Sequence, residues 1–355
     1  MNVFSRRYLA VWIGFITFLL TQLCSHFPSL TEHLYSKKLY PILAQGVSLL
    51  SGIIPFSITD IFYIFLLLLL LSTLTLWVFR KINFKKTAYI ILTILAITYS
   101  LFYWFWGFNY FRQPIETRLE LKSIKVTKEL FYKGLALQIN ATNNAFSTIN
   151  LLNPEAIESS LDESFVRLGP QFDFTYSTRF NASKKMIFSR FFAGNSISGY
   201  FGPFTNEVHT NKYLLPVQYP MILAHEKAHQ LGITNEAEAS FYGWLACLES
   251  NSKPIEYSAQ LFVLMHFMKQ EKTLYDSLDV KPLLKPEVLN EYLMIKEYWK
   301  NLRYQKLQNI TSSIYDSYLK ANSIKEGINN YEGVVTLIIK FQNQNTTDTS
   351  VYHSQ

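Results

Sequence analysis

Residues 225 to 229 read His-Glu-Lys-Ala-His. Two histidines four apart lie on one face of a helix, so both imidazoles can reach a single Zn²⁺ at about 2.0 to 2.1 Å, and the glutamate beside the first is placed to hold a water on the metal. The flanks suit a helix. Pro220 fits its start, the stretch to Leu231 is apolar outside the motif residues and Lys227, and Gly232 can end it in a left-handed cap. A catalytic zinc takes a third protein ligand and keeps one position open. Glu236 and Glu238 are the candidates, in a second helix that begins after a turn of a few residues. Two apart means about 200° around a helix, so only one of them can face the metal. Asn235 is a good N-cap, which puts Glu238 at the capping-box position, its side chain folding back on the cap's own amide. That leaves Glu236 as the expected third ligand, with Glu238 as the alternative.

Hydrolysis at such a centre also needs a donor for the developing oxyanion. His209 and Tyr331 are the candidates carried forward, with Tyr200 and Arg190 behind them; each residue type is equally at home on a surface or in packing. The segment from Gly199 to Thr210 precedes the motif helix and carries Gly and Pro residues suited to close backbone approach, as an edge strand beside an extended substrate would need.

These residues must be positioned by a chain of unusual composition. Of its 355 residues 49% are apolar and only 17% charged, with 33 Lys+Arg against 26 Asp+Glu. Residues 1 to 108 hold eight Lys/Arg and two Asp/Glu, whereas the remainder holds 25 and 24, so the excess of positive charge belongs to the first third. The nearly neutral remainder has no Arg-rich stripe or finger motif, and nucleic acid is excluded as a partner. With 28 Phe, 23 Tyr and 6 Trp, the chain has apolar area enough for a core over most of its length.

Three apolar stretches are long enough to cross a bilayer: about residues 8–24, 61–79 and 87–108. The last ends in YWFWGFNYF, an aromatic cluster of the kind that sits at lipid headgroups. Arg6 and Arg7 precede the first, and Arg80, Lys81, Lys85 and Lys86 fill the connection between the second and third. The positive-inside rule puts both groups on the cytoplasmic side and residues 109–341 outside the cytoplasm. Residues 39–59 are also uncharged, but Pro41, Gln45, Gly46, Gly52 and Pro55 favour an interfacial or re-entrant segment over a fourth span, which would move the basic connection to the outer side. No small-residue cleavage site follows the first apolar run, so a removed signal peptide is not expected. Cys24 and Cys247, far apart in the chain, read as two separate thiols.

The expected architecture is therefore three N-terminal transmembrane helices (residues 1–108) followed by a mainly helical α+β domain. That domain opens with a helix capped by Thr127 and a second starting at Asn153-Pro154 and stopping near Gly169-Pro170. Residues 171–215, with runs such as MIFSRFF and GYFGPF, read as a small sheet. Helical patterns resume at Pro220, and the polar residues 342–355 read as a disordered tail.

The HExxH followed by a helix opening NEAEASFYG resembles the gluzincin metallopeptidases, whose third ligand is the Glu of an N-E-x-x-x-D helix. The resemblance implies a zincin-like fold, Glu236 as ligand, and Ser240 where those enzymes carry an Asp that supports a zinc histidine. On that departure another acceptor, such as Glu238, would have to orient the ring. The spacing from His229 to Glu236 is also shorter than in thermolysin-like enzymes. More closely, WGFNYFR at 106–112, GYFGPFTNEVHTN at 199–211, HEKAHQLGITNEAEASF and SYLKANSIKEGINNYEGVVTLII at 317–339 resemble a family of uncharacterised membrane proteins of Bacteroidetes-type bacteria, in which transmembrane helices precede a zincin-like domain.

Taken together, the expectation is a multi-pass protein of a bacterial cytoplasmic membrane, with one Zn²⁺ held by His225, His229 and Glu236 and with Glu226 as general base. Its substrates would be envelope proteins or peptides. The competing expectation is a non-catalytic zinc-binding scaffold of the same fold. An intramembrane protease is disfavoured, because Lys227, Glu236 and Glu238 interrupt any apolar run around the motif.

Overall fold

The three apolar runs each form one long helix, and the breaks between helices follow capping chemistry. In this computed structural model, residues 8–147, 153–172, 174–177, 182–274, 280–322, 324–327 and 333–347 are described. The chain is mostly helical. The N-terminal third holds α1 (Leu9–His26), α2 (Pro28–Leu30), α3 (Tyr40–Ser51), α4 (Ile58–Val78) and α5 (Phe84–Phe105). Next come α6 (Ile115–Arg118), α7 (Lys128–Ala145) and α8 (Pro154–Leu168), then β1 (Lys184–Lys185), α9 (Ser189–Gly194), β2 (Gly199–Gly202) and β3 (Glu207–Thr210). The remaining elements are α10 (Tyr219–Gln230), α11 (Glu236–Glu249), α12 (Lys253–Leu274), α13 (Pro286–Leu302), α14 (Gln305–Ala321) and α15 (Gly333–Thr347). The strands form one sheet in the order β1-β3-β2.

The chain divides into two compact units. One comprises residues 1–113, 179–187 and 202–207, the other 114–178, 188–201 and 208–355.

In the first unit, α1, α4 and α5 are long and apolar enough to cross a membrane. Where α1 meets α5 the packed side chains are small and polar: Thr17 donates to Ser100 Oγ at 3.3 Å, and Thr21 lies 3.3 Å from the Tyr99 hydroxyl. Hydroxyls of this kind hold apolar helices together when no hydrophobic gain distinguishes helix from surroundings. The expected third span stops early. Trp106 leaves helical geometry at φ −158°, and Gly107–Phe111 tighten into a 3-10 turn with Gly107, Phe108, Asn109 and Phe111 buried. Residues 31–39 form a π-helix that runs into α3, which occupies much of the segment expected to be interfacial. The π-helix carries Glu32, 1% exposed, and Arg112 grips its carboxylate in a fork at 2.7 and 2.9 Å. At the start of α4, Ser57 Oγ caps Asp60 N, and the buried Glu207 carboxylate accepts from Thr59 N at 2.9 Å while pairing with Lys184.

The second unit is a helical assembly around α10 and α11. Thr127 and Asn153 cap α7 and α8 through their side chains, as their types predict. The run MIFSRFF does not extend the sheet: β1 ends at Lys185 and α9 starts at Ser189. Met186 is buried while Ile187 and Phe188 stay 45% and 49% exposed, so the run does not have the two covered faces that a continuously apolar strand needs. The first six residues of the segment expected to be a disordered tail are instead helical, because α15 continues to Thr347. Val334, Val335, Leu337, Ile338 and Ile339 bury one side of that helix, and Gln344 Oε1 accepts from Lys122 N at 3.1 Å near its end. Residues 348–355 lie outside the described residues.

Candidate metal centre

The whole of α10 is buried, an unusual environment for a helix carrying His, Glu and Lys together. Each polar side chain therefore needs a partner. Lys227, fully buried, points away from the histidines and ion-pairs with Glu158 and Asp162 of α8, both at 2.7 Å; its ammonium is held charged, its pKa raised because these acids and Tyr176 outweigh the effect of burial. The helix ends as read from the sequence. Gly232 takes φ +74°, the left-handed region that glycine enters without cost, and the next residues turn the chain into α11. Asn235 Oδ1 then accepts from Glu238 N at 3.0 Å. Further along α11, Gly243 faces α10 so closely that a Cβ there would lie 2.9 Å from His225 N.

This close packing brings Glu236, the first residue of α11, onto the histidine pair. His225 Nε2 lies 3.1 Å from Glu236 Oε2 and 3.2 Å from His229 Nε2, and His229 Nε2 lies 3.4 Å from Glu236 Oε2. Ligands at tetrahedral angles on a zinc with bonds of about 2.0 to 2.1 Å stand about 3.3 Å apart. The triangle of donor atoms thus has the edge length that such an ion requires, and the two-nitrogen, one-carboxylate set suits zinc. The rings are held in the orientation that presents Nε2 to the triangle. His229 Nδ1 donates to Ile233 O at 2.6 Å, and His225 Nδ1 lies 3.1 Å from Ser240 Oγ. Ser240 therefore does the work expected of another acceptor.

Glu238, the alternative ligand, faces elsewhere. Its carboxylate pairs with Arg118, which also approaches Tyr242 OH, so it stands outside the His225–His229–Glu236 cluster and is not the returning arm of a capping box. A charged guanidinium is a stronger partner than the single backbone amide of the cap. Glu226, beside the triangle, is pushed up to about 8 by burial, with the Glu236 charge adding and His229 opposing. His229 is pushed up to about 9, since the Glu236 carboxylate outweighs the burial that favours its neutral form; His225 is pushed down, chiefly by burial. Glu236 stays anionic well below the usual carboxylate range, because the two histidines outweigh the burial that would protonate it.

Two of the expected oxyanion donors have partners of their own in the structure. His209 is fully buried in β3 with its ring stacked on Tyr200, centroids 4.3 Å apart. Arg190 lies over the Tyr304 ring and donates to Leu302 O at 3.0 Å. Tyr331 lies outside the described residues. The sequence reading missed Tyr315, on α14, whose hydroxyl donates to Glu236 Oε1 at 2.5 Å. Nothing in its local sequence marks it among 23 tyrosines. The segment upstream of the motif does approach it. Gly199 opens β2, an edge strand of the sheet, against the Glu226 carboxylate, and the Phe201 ring stands 6.4 Å from that of His229.

No curated protein matches the chain, and no solved structure matches it. Residues 35–339, which include both the motif helix and most of the apolar helices, match the family described as protein of unknown function (DUF3810). The chain belongs to that family.

Proposed function

We propose that the chain is a membrane-anchored zinc metallopeptidase of gluzincin type, with His225, His229 and Glu236 as ligands and Glu226 as general base. One observation carries this reading: three donor atoms from two helices stand at 3.1, 3.2 and 3.4 Å from one another, the spacing of ligands on one zinc. Zinc held there would supply the Lewis-acid charge that lets water attack a peptide carbonyl at neutral pH. Glu226 takes the attacking water's proton and hands it to the departing amine. With a dication held beside it, Glu226 would have a lower proton affinity than in the metal-free protein and would serve as a base near neutral pH. Ser240 and Ile233 O hold the two imidazoles, and the edge strand β2 offers backbone groups to an extended polypeptide.

The basic residues Arg80, Lys81, Lys85 and Lys86 between α4 and α5 support an arrangement with that connection in the cytoplasm and the metal centre outside it. Three spans in a bacterial cytoplasmic membrane, with envelope proteins or peptides as substrates, complete the proposal. Purified protein is expected to contain one zinc per chain by elemental analysis and to lose it in His225→Ala. Glu226→Gln is expected to keep the zinc and abolish cleavage of a peptide library; equal digestion by wild type and variant would remove the peptidase assignment.

The low exposure of the four residues, 6% for each histidine, 5% for Glu226 and 4% for Glu236, favours a second reading. In it the same metal centre is structural and the domain is a binding scaffold. Stoichiometric zinc with no cleavage of any peptide, and no exchange of the metal with chelator in the folded protein, is the result that selects it.

A further inference from the structure

The two oxygens of Glu236 are used differently. Oε2 faces both histidine Nε2 atoms, at 3.1 and 3.4 Å, while Oε1 is turned away and accepts the Tyr315 hydroxyl at 2.5 Å. We propose that Tyr315 is a positioning residue that holds Glu236 as a one-oxygen ligand and thereby keeps a coordination position open. The proposal rests on the metal reading above.

Three observations support it. Among the described residues Tyr315 is the one partner of Oε1, so nothing else there keeps that oxygen off a metal. The carboxylate is 4% exposed, so water is a poor substitute for the lost donor. A phenol on a buried carboxylate at this distance is in the range of short, charge-assisted O–H···O⁻ bonds. The packing of α14 does not by itself call for a tyrosine at this point. Of the helix's described side chains Leu319 alone is buried, and Ile310 and Ile314 are turned to the outside, 59% and 65% exposed. The Tyr315 ring lies against Tyr318, centroids 6.0 Å apart, while its hydroxyl meets Glu236.

Chemically, a carboxylate with both oxygens released can chelate. On a centre with two histidines that adds a ligand and takes the position a catalytic zinc keeps for water or substrate. With Oε1 engaged by Tyr315, only Oε2 is available. A phenylalanine here removes one oxygen atom and leaves the ring stack, so the effect of the hydrogen bond can be separated from that of the aromatic ring.

The experiment uses the full chain in detergent, stripped of metal and reloaded with Zn²⁺ or Co²⁺. Tyr315→Phe is expected to weaken zinc binding, measured against a competing chelator, by about 10- to 100-fold. In the cobalt-loaded protein its visible absorption is expected to lose intensity relative to wild type, the signature of a higher coordination number. Leu319→Ala serves as the second variant, since it loosens α14 without touching the carboxylate and is expected to leave the cobalt spectrum unchanged. Unaltered affinity and spectrum in Tyr315→Phe overturn the proposal, as does an equal spectral change in Leu319→Ala. If the wild-type protein takes up neither zinc nor cobalt, the metal reading falls and this role falls with it; a wild type that binds both while Tyr315→Phe behaves identically removes only the role of Tyr315.

Discussion

Gly199 and Glu226 are in contact through the space a side chain would fill: a Cβ on Gly199 would lie 2.5 Å from Glu226 Oε1 and 2.7 Å from its Cγ. The backbone of β2 thus forms one wall of the position occupied by the proposed base. Gly199→Ala is expected to displace the carboxylate and lower kcat at least tenfold, since misplacing a reacting group by about 1 Å can cost about 100-fold. Zinc content should be unchanged, because the three atoms nearest that Cβ all belong to Glu226 and none to a proposed ligand. Steady-state kinetics beside metal analysis checks both halves, and a fully active Gly199→Ala removes the positional argument.

Ser240 Oγ lies 3.1 Å from His225 Nδ1, the ring nitrogen turned away from the donor triangle. Ser240→Ala leaves a buried imidazole nitrogen without this partner and lets the ring turn. Zinc affinity is expected to fall by about 10-fold, at the lower end of what such partners contribute. Titration with a chromogenic chelator measures it.

Lys227 is the fully buried ammonium of α10, and its removal leaves Glu158 and Asp162, one turn apart on α8, without their shared counter-charge. Those two carboxylates retain 13% and 22% exposure, so part of their charge can be hydrated. Lys227→Ala is expected to destabilise the fold by about 3 kcal/mol, the low end of the range for breaking a buried pair. Lys227→Met with Glu158→Gln and Asp162→Asn should recover most of that loss. Thermal unfolding in detergent compares the three proteins.

Glu226 imposes a pH dependence on the metal-free fold. Its carboxyl titrates near 4.5 when unfolded and is pushed up to about 8 by burial in the native state. Below pH 4.5 it is protonated in both states and has no effect. As pH rises toward 8 the unfolded chain loses its proton first, so stability falls through that window, by on the order of 4 kcal/mol in total at and above pH 8. Chelator-treated Glu226→Gln is therefore expected to melt higher than treated wild type at pH 8.5 and level with it at pH 4. Parallel melting curves at both pH values would contradict the environment assigned to this residue.

Much of this was legible in the linear sequence because it depends on local chemistry. The caps Thr127, Asn153 and Asn235, the left-handed Gly232, and the three apolar runs all follow from residue type and neighbours within a turn or two. So did the pairing of His225 with His229, since four residues is one helical turn, and the expectation that only one of Glu236 and Glu238 faces that pair, since the two point to different sides of α11; the capping-box reason for choosing Glu236 did not hold, because Glu238 meets Arg118 instead. Where local signals competed, the reading went wrong. Apolar residues at 186–188 suggested a strand, yet α9 follows, and the polar end of α15 concealed a helix held by its buried Val and Ile side.

Only the tertiary structure decided the partners of these groups. Whether Glu238 returns to its cap or meets Arg118, 120 residues earlier, depends on where α6 packs; whether Ser240 reaches His225 depends on how closely Gly243 lets α11 approach α10. Tyr315 meets Glu236 from 79 residues away, on a helix whose own sequence gives no sign of it. The sequence alone determined the donor set and the helices that carry it, because helical periodicity acts over a few residues. Which groups orient those donors is settled by long-range packing, which periodicity does not encode.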